Sequence, residues 1–362
     1  MRRKILLVLN VLVVAWLLMA ILCMNVPPHR FWPAGFMALS LPVPIILNLL
    51  FFFLWALYRP VLALLPLVVI VGTWSYHTRI LALNLRSQPE PREQATSFSV
   101  MSYNVRVFNR YEFERPEDRV QSRKIIDWVA QHPADLFCVQ EYYNENKSPI
   151  YNATSTIARK PRKHIFQSTI YRSKAGAEYA MAIVSRYPII NKGTINFGKL
   201  TLNHAMFADI KVKSDTVRVY NFHFQSMSIK NEDLRETYYE NALFEQPGRK
   251  IARRLKDGFV ERSQQVKILL DHLGSSPHPV VICGDLNDLP FSYTYEKLND
   301  KLSSSFGATG WGIGTTYNGL LPFLRIDGQF FDSSRLLIHD FKIHQEVTYS
   351  DHFPNTAVYS FQ

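Results

Sequence analysis

Acid is almost missing from the first quarter of this chain. Residues 1–95 contain Arg2, Arg3, Lys4, Arg30, Arg59, Arg79, Arg86 and Arg92, but only Glu90 and Glu93 as acids. The other 33 basic and 28 acidic residues lie in 96–362, so that part carries only +5 of the total +11. A modest excess of this kind is weak grounds for a nucleic-acid partner. Cysteine is scarce as well. Cys23, Cys138 and Cys283 are the three among 362 residues, which excludes a disulfide-stapled miniprotein. Cys138 and Cys283 each fall inside an apolar stretch and read as buried free thiols. No Cys/His cluster has zinc-site spacing, no glycine-rich loop is placed to cradle a nucleotide, and no Gly-x-Ser-x-Gly elbow occurs. No internal repeat or low-complexity tract is present. What is there is 47% hydrophobic, too apolar for a disordered chain.

The apolar residues are unevenly spread. Ile5 to Met24 is a run without charge, long enough to cross a hydrocarbon core of roughly 30 Å. Phe36 to Tyr58 is a second run, with Pro42 and Pro44 inside it. Val61 to Tyr76 is a third, which reaches span length only with Pro60 or residues beyond His77. A cleaved signal peptide is disfavoured, because no small-x-small site follows and two further apolar runs do. Leu22 before Cys23 also argues against lipoprotein-type processing. The expectation is a transmembrane segment over 1–85, about three helices at 5–24, 36–58 and 60–80, with one helix plus a re-entrant or interfacial hairpin as the alternative. Arg2, Arg3 and Lys4 favour a cytoplasmic N-terminus. Three crossings then place the rest of the chain on the opposite face of a bacterial inner membrane, the periplasm. Losing the third span would reverse that address.

Arg86 to Ser97 is polar, with two prolines, and reads as a linker over 86–97. Beyond it, apolar strands alternate with amphipathic helices. Strands are expected at 98–105, 135–141, 180–185, 205–212, 216–224 and 279–284, and a hairpin turn at Lys213-Ser214-Asp215. Helices are expected at 119–131 and over roughly 231–273, broken near Gln246-Pro247-Gly248. Hairpins mixed with helices argue for an α/β sandwich of packed sheets rather than a doubly wound sheet.

Polar residues stand where these apolar strands stop. Asn104 ends the first, Glu141 the second and His223 the hairpin strand; Asp285 and Asn287 follow Val280–Gly284, and Asp351-His352 follow the short run near Val347. A carboxylate abutting a buried strand is costly unless something satisfies it. Any one of these residues alone reads as a turn or cap, but the set suits one job. Asn, Glu and Asp oxygens suit a hard cation such as Mg²⁺, and histidines suit proton transfer and phosphate contact near neutral pH.

Asn104 in SYNV, Glu141 in LFCVQE, His223 in NFHFQS, Asp285 and Asn287 in GDLND, Asp327 in RIDGQF and Asp351-His352 in SDH follow one another in a characteristic order. The ordered set resembles the deoxyribonuclease-I-like endonuclease/exonuclease/phosphatase superfamily across about 98–361, as a membrane-anchored bacterial member. The resemblance implies a four-layer α/β/β/α sandwich at 98–362 that hydrolyses phosphoester bonds with Mg²⁺, or with Mn²⁺ in its place. It implies Glu141 as the principal metal ligand, Asn104 in direct or water-mediated contact with the ion, and Asp351 nearby. Asp285 would orient or activate the attacking water, and Asn287 would hold the phosphate and that water. His352, oriented by Asp327, would contact the phosphoryl oxygen or move a proton. His223 matches the second histidine of some members, and Glu178, just before the strand AMAIVS, is its expected partner.

The substrate stays open: a lipid headgroup, a small phosphoester, or DNA or RNA. A catalytically silent membrane-bound binding domain is the reading from another class, and it predicts loss of a site residue that this sequence retains. Arg249, Lys250, Arg253, Arg254 and Lys256 form a basic helix face that suits either solvent or anionic headgroups. Tyr142, Tyr143, Tyr238 and Tyr239 suit packing, or stacking on bases.

Overall fold

The computed structural model describes residues 2–84, 95–112, 116–159, 162–198, 203–227, 246–321 and 323–362. The expected linker falls mostly outside the described residues, as do Tyr238, Tyr239 and the first part of the 231–273 helix. The chain divides into two compact units. One comprises Met1–Leu83, Met227–Gln264 and Asp288–Lys297; the other comprises Asn84–Ser226, Gln265–Asn287 and Leu298–Gln362.

The first unit opens with helices α1 (Arg2–Cys23), α2 (Pro33–Leu39), α3 (Pro42–Tyr58), α4 (Pro60–Gly72) and α5 (Trp74–Ile80). Helix α1 alone is long and apolar enough to cross a membrane. The pairs α2 with α3 and α4 with α5 reach that length only when each bent pair, at 42° and 67°, is taken as one span. The expected continuous helix from Phe36 to Tyr58 is broken at Ser40–Leu41. Pro42 explains the break, since it has no N–H for the preceding turn and excludes helical geometry from the residue before it. Polar groups inside the bundle are matched. Trp55 Nε1 donates to the buried Asn10 Oδ1 at 3.1 Å, and Trp16 Nε1 donates to Ser40 Oγ at 2.8 Å. Leu12, Leu22, Phe53, Leu57 and Val61 are exposed, as helices facing lipid require.

Pieces from far along the sequence complete this unit. Phe291, with Leu289 alongside, packs into the cluster of Leu17, Ala20, Ile21, Met24, Ala38, Leu41 and Ile45. Arg79 forms an ion pair with the buried Glu296, and Arg262 Nε lies 2.9 Å from Asp288 Oδ2 with both side chains buried.

The second unit is an α/β fold of two mixed six-stranded sheets flanked by helices. In chain order its strands are β1 (Ser97–Asn104), β2 (Leu136–Asn144), β3 (His164–Arg172), β4 (Glu178–Ser185), β5 (Ile189–Asn196), β6 (His204–Val212), β7 (Asp215–His223), β8 (Val280–Asp285), β9 (Ser303–Ser304), β10 (Asp327–Phe331), β11 (Leu336–Ile343) and β12 (Asn355–Phe361). One sheet runs β11-β12-β1-β2-β4-β3 and the other β9-β10-β8-β7-β6-β5. In each sheet a central pair is parallel, β1 with β2 and β7 with β8, and the other pairings are antiparallel. The β6–β7 hairpin turns at Lys213, whose φ is 55°, where the sequence placed it.

Helix α6 (Pro116–Gln131) covers the outer face of the first sheet through Ile125, Ile126 and Val129, all buried against Met101, Phe137 and Val139. Helix α7 (Gln246–Leu273) begins at the expected break. Between the sheets the core is apolar apart from a satisfied polar seam. Gln140 Nε2 donates to Asn221 Oδ1 at 2.7 Å, and Asn221 Nδ2 donates to the carbonyls of Val139 and Ala182 at 3.1 and 3.0 Å. Gln329 Nε2 donates likewise to Asn355 Oδ1 at 2.9 Å. Cys138 and Cys283 are buried free thiols, as expected, and burial pushes the Cys138 thiol far above its ordinary pKa.

Candidate active site

Sheet register does most of the assembly. In the second sheet His223 pairs with Asp285, and Asp285 pairs with Asp327, so one rung across β7, β8 and β10 carries all three. Asn104 ends β1 opposite Gln140, the residue before Glu141. Gly284 is what lets β8 lie so close to β7. A Cβ there would meet the Phe222 carbonyl oxygen at 1.9 Å.

Glu141 sits at an irregularity of β2, where the pairing with β4 shifts between Val139 and Tyr142 and the Glu141 φ is 50°. A bulge of this kind re-aims one side chain without ending the strand. The Glu141 carboxylate is partly exposed, with Oε1 3.4 Å from Asn104 Nδ2 and 3.9 Å from His223 Nε2.

Three nitrogens converge on the buried Asp285 Oδ2: Asn104 Nδ2 at 3.1 Å, His223 Nε2 at 3.5 Å and His352 Nε2 at 3.8 Å. The other Asp285 oxygen accepts the Asn287 N–H at 2.7 Å. That turn holds Asn287 in the left-handed region at φ 49°, a conformation asparagine tolerates, and its side-chain amide donates to the Phe224 carbonyl. His352 Nδ1 lies 2.9 Å from Asp327 Oδ2, both groups being buried. Asp327 in turn accepts a backbone contact network from Thr316, whose hydroxyl receives the N–H of Ile326 and of Asp327.

Electrostatics follow from this packing. Burial alone disfavours the imidazolium of His352, but the charges of Asp327 and Asp285, the hydrogen bond to Asp327 and the charge of Asp351 outweigh it and hold the His352 pKa well above the ordinary value. Burial pushes the Asp327 carboxyl up to about 6, with Asp285 adding to the rise and His352 opposing it.

The expected residues therefore gather, with two differences of detail. Asp351 lies beside the site but is paired with Arg106, Nε to Oδ2 3.3 Å, and its other oxygen is 4.0 Å from His352 Nε2. Asn104 turns its amide NH₂ toward Glu141 and Asp285, because its Oδ1 already accepts the Arg106 N–H at 3.0 Å. Glu178 is not brought to His223. It starts β4, pairs across the strands with Asn144 and Arg172, and binds the Arg172 guanidinium. The attraction of a cation on the neighbouring strand accounts for that placement. His223 Nδ1 is buried and has no hydrogen-bond partner among the described residues. Tyr142 and Tyr143 pack rather than stack on a ligand: both are buried, with hydroxyls engaged by Thr154 and Glu145.

Arg106 and Tyr317 were not singled out from the sequence. Arg106 opens a turn in which Arg106, Val107, Phe108 and Asn109 all have φ between 48° and 53°, an unusual run for residues that carry a Cβ. No glycine advertises it. Tyr317 bridges to His352 and packs edge-on against its ring, centroids 5.6 Å apart.

Two groupings suit a cation. Glu141 offers a half-open carboxylate next to Asn104, the hard-oxygen setting in which Mg²⁺ keeps most of its waters. Asp285, Asp327 and His352 also place ligand atoms within 4.8 Å of one another. There, however, the His352 Nδ1–Asp327 bond already occupies the donors, and a protonated imidazole cannot ligate.

Comparison with known proteins agrees with this geometry. The profile of the Endonuclease/Exonuclease/phosphatase family matches residues 101–352, and one described as a domain of unknown function matches residues 3–80. Comparison with curated proteins finds no match. Among solved structures, an endonuclease/exonuclease/phosphatase family protein from Bacteroides thetaiotaomicron superimposes with TM-score 0.53 at 18% identity, covering 74% of this chain and 99% of that one. The human Nocturnin catalytic domain gives TM-score 0.51 at 16% identity over 75% and 97%. A humanized D. rerio TDP2 gives 0.51 at 15% over 73% and 99%. At these identities the likeness is one of fold.

Proposed function

Because the chain belongs to the endonuclease/exonuclease/phosphatase family, we propose that it is a membrane-anchored, Mg²⁺-dependent phosphoesterase that hydrolyses a phosphodiester or phosphomonoester by in-line attack of water. The observation that carries this reading is the convergence of Asn104, His223 and His352 on one oxygen of Asp285, with Glu141 alongside.

The donor set fits the ion. Glu141 would hold it, with Asn104 steadying the carboxylate or ligating directly if its amide turns and gives up the Arg106 N–H. Asp351 lies near enough to hold one of the ion's waters. Mn²⁺ suits the same oxygens. When bound, such an ion supplies positive charge to the phosphoryl oxygens as the transition state forms.

The chain's own residues account for the remaining steps. Asp285 is buried and accepts from fixed donors, so its Oδ2 is placed to orient the attacking water and take its proton. His352, kept protonated by Asp327, donates from Nε2 to a phosphoryl oxygen. His223, at the end of β7, stands on the other side of Asp285, placed to give a proton to the departing oxygen. Asn287 orients the phosphate and the water from the left-handed turn beside Asp285.

Anchoring is supported by α1 and by the exposed apolar faces of the helices after it. One crossing or three, with Arg2, Arg3 and Lys4 kept in the cytoplasm, puts the catalytic unit on the extracytoplasmic side, the periplasm if the membrane is a bacterial inner membrane. A lipid headgroup or small phosphoester suits an enzyme tethered there, and cleavage of DNA or RNA is the alternative substrate for the same chemistry.

The test uses the full chain, because residues 227–264 and 288–297 belong to the same compact unit as the N-terminal helices. Purified in detergent, it would be offered plasmid DNA, single-stranded RNA, bis-(p-nitrophenyl) phosphate, phosphoinositides and sphingomyelin with Mg²⁺, alongside Glu141→Ala. Metal-dependent cleavage lost in the variant supports the proposal and names the substrate class. Metal-dependent cleavage retained in the variant would overturn the assignment of Glu141, and silence across the panel would favour a silent binding domain.

A further inference from the structure

The first unit carries a charged surface that the hydrolytic reading leaves unused. The start of α7, residues 246–256, holds Arg249, Lys250, Arg253, Arg254 and Lys256 and no acid; Asp257 is the first. Arg249, Arg253 and Lys256 recur at helical spacing with Phe259, Val260 and Ser263, so they share one stripe of the helix.

That stripe meets the segment joining α1 to α2. The His29 ring lies 2.9 Å from Ser263 Oγ, the Phe36 and Phe259 rings meet edge-on at 5.3 Å, and Lys256 Nζ sits 5.3 Å from the Trp32 ring centre. Gly35 makes room for the contact, since a Cβ there would collide with the Phe259 ring at 2.4 Å. The joining segment directly follows the end of the spanning helix α1, and Arg30, Phe31 and Trp32 on it are exposed. A tryptophan and a phenylalanine exposed at the end of a span are the side chains that favour the bilayer–water boundary. Arg249 and Arg253 are exposed as well, one and two turns before Lys256.

From this we propose that Arg249, Arg253 and Lys256, with Arg30 and Trp32, form a binding surface for the headgroups of anionic phospholipids. The inference rests on the membrane anchoring proposed above but not on the hydrolytic chemistry. Charge complementarity selects the partner: an uninterrupted cationic stripe held at the boundary by aromatic contacts faces the phosphate layer of the bilayer it is anchored in. Clamping α7 to that layer also fixes the unit that contains Asp288–Lys297, the segment that follows Asn287 in the chain.

The full chain reconstituted in phosphatidylcholine discs, with trace spin-labelled phosphatidylglycerol or phosphatidylcholine, reads the relative association of the two lipids directly. The wild type should prefer phosphatidylglycerol by about fivefold or more, given the usual strength of a single juxtamembrane cation, and high salt should weaken the preference. Arg249→Gln/Arg253→Gln/Lys256→Gln should bring it close to one, while Arg249→Lys/Arg253→Lys keeps it. No preference in the wild type, or an unchanged preference in the triple Gln variant, overturns the proposal. So does a salt-sensitive affinity for a single-stranded oligonucleotide that the same three substitutions remove without touching lipid preference. A chain that fails to enter the discs overturns the anchoring, and this surface with it; entry without preference overturns the surface alone.

Discussion

His352 Nδ1 lies 2.9 Å from Asp327 Oδ2, and both groups are shut away from solvent. The bond leaves Nε2 as the outward nitrogen of His352, 3.8 Å from Asp285. It also holds the ring protonated: the raised His352 pKa keeps the imidazolium intact through neutral pH. The sign for stability is definite. A raised folded-state pKa contributes stability that is fully present below the ordinary histidine value and is lost as pH rises through the raised one.

Catalysis should follow the same titration. If His352 works as a cation, kcat/KM falls on the alkaline side as Nε2 loses its proton. Asp327→Asn removes the main charge that opposes burial, so that limb should move toward lower pH, and kcat should drop by about two orders of magnitude or more. A pH–rate profile of the variant checks this. An unmoved alkaline limb would detach Asp327 from the titration of His352.

Glu141→Gln keeps the volume of the side chain and removes its charge. Divalent-ion-dependent turnover should fall to background, while the melting temperature in detergent changes by a few degrees at most, because the carboxylate is partly exposed and makes only long contacts. Turnover that survives at wild-type ion concentrations would move the ion to another group.

Much of this site was legible because each strand ends where its apolar run ends. Asn104, His223 and Asp285 mark those ends, and parallel pairing in both sheets brings like ends together. Less local features left no such trace. The Arg172–Glu178 pair depends on the β3–β4 register, which composition does not encode, and so the partner expected for His223 went elsewhere. The bulge at Glu141 and the left-handed turn at Arg106–Asn109 contain no glycine to announce them. By contrast, the break before α3 was written in Pro42, and only the length of the apolar run argued for a continuous span.

Gly284 marks a position where no side chain fits. Gly284→Ala would drive a methyl into the Phe222 carbonyl of the neighbouring strand, so β7 and β8 must separate just where His223 and Asp285 pair. The expected result is a loss of about 2 kcal/mol or more, and activity reduced even at temperatures where the protein remains folded. Thermal unfolding in detergent, with turnover measured well below the transition, separates the two effects. Wild-type activity in a destabilised Gly284→Ala chain would show that the rung tolerates the displacement.

The polar seam between the sheets offers a test of a different kind. Asn221 uses its whole amide, accepting from Gln140 and donating to the carbonyls of Val139 and Ala182. Asn221→Leu leaves those partners buried without water, at a cost of about 3 kcal/mol. Gln140→Leu alone leaves the Asn221 oxygen unmatched but spares both carbonyls, so it should cost less. The double variant should then be less destabilised than the two losses together, because the Gln140–Asn221 bond is counted in each single change. Melting temperatures of the three variants in detergent form the cycle. Strict additivity would mean that Gln140 and Asn221 hold their sheets independently rather than through each other.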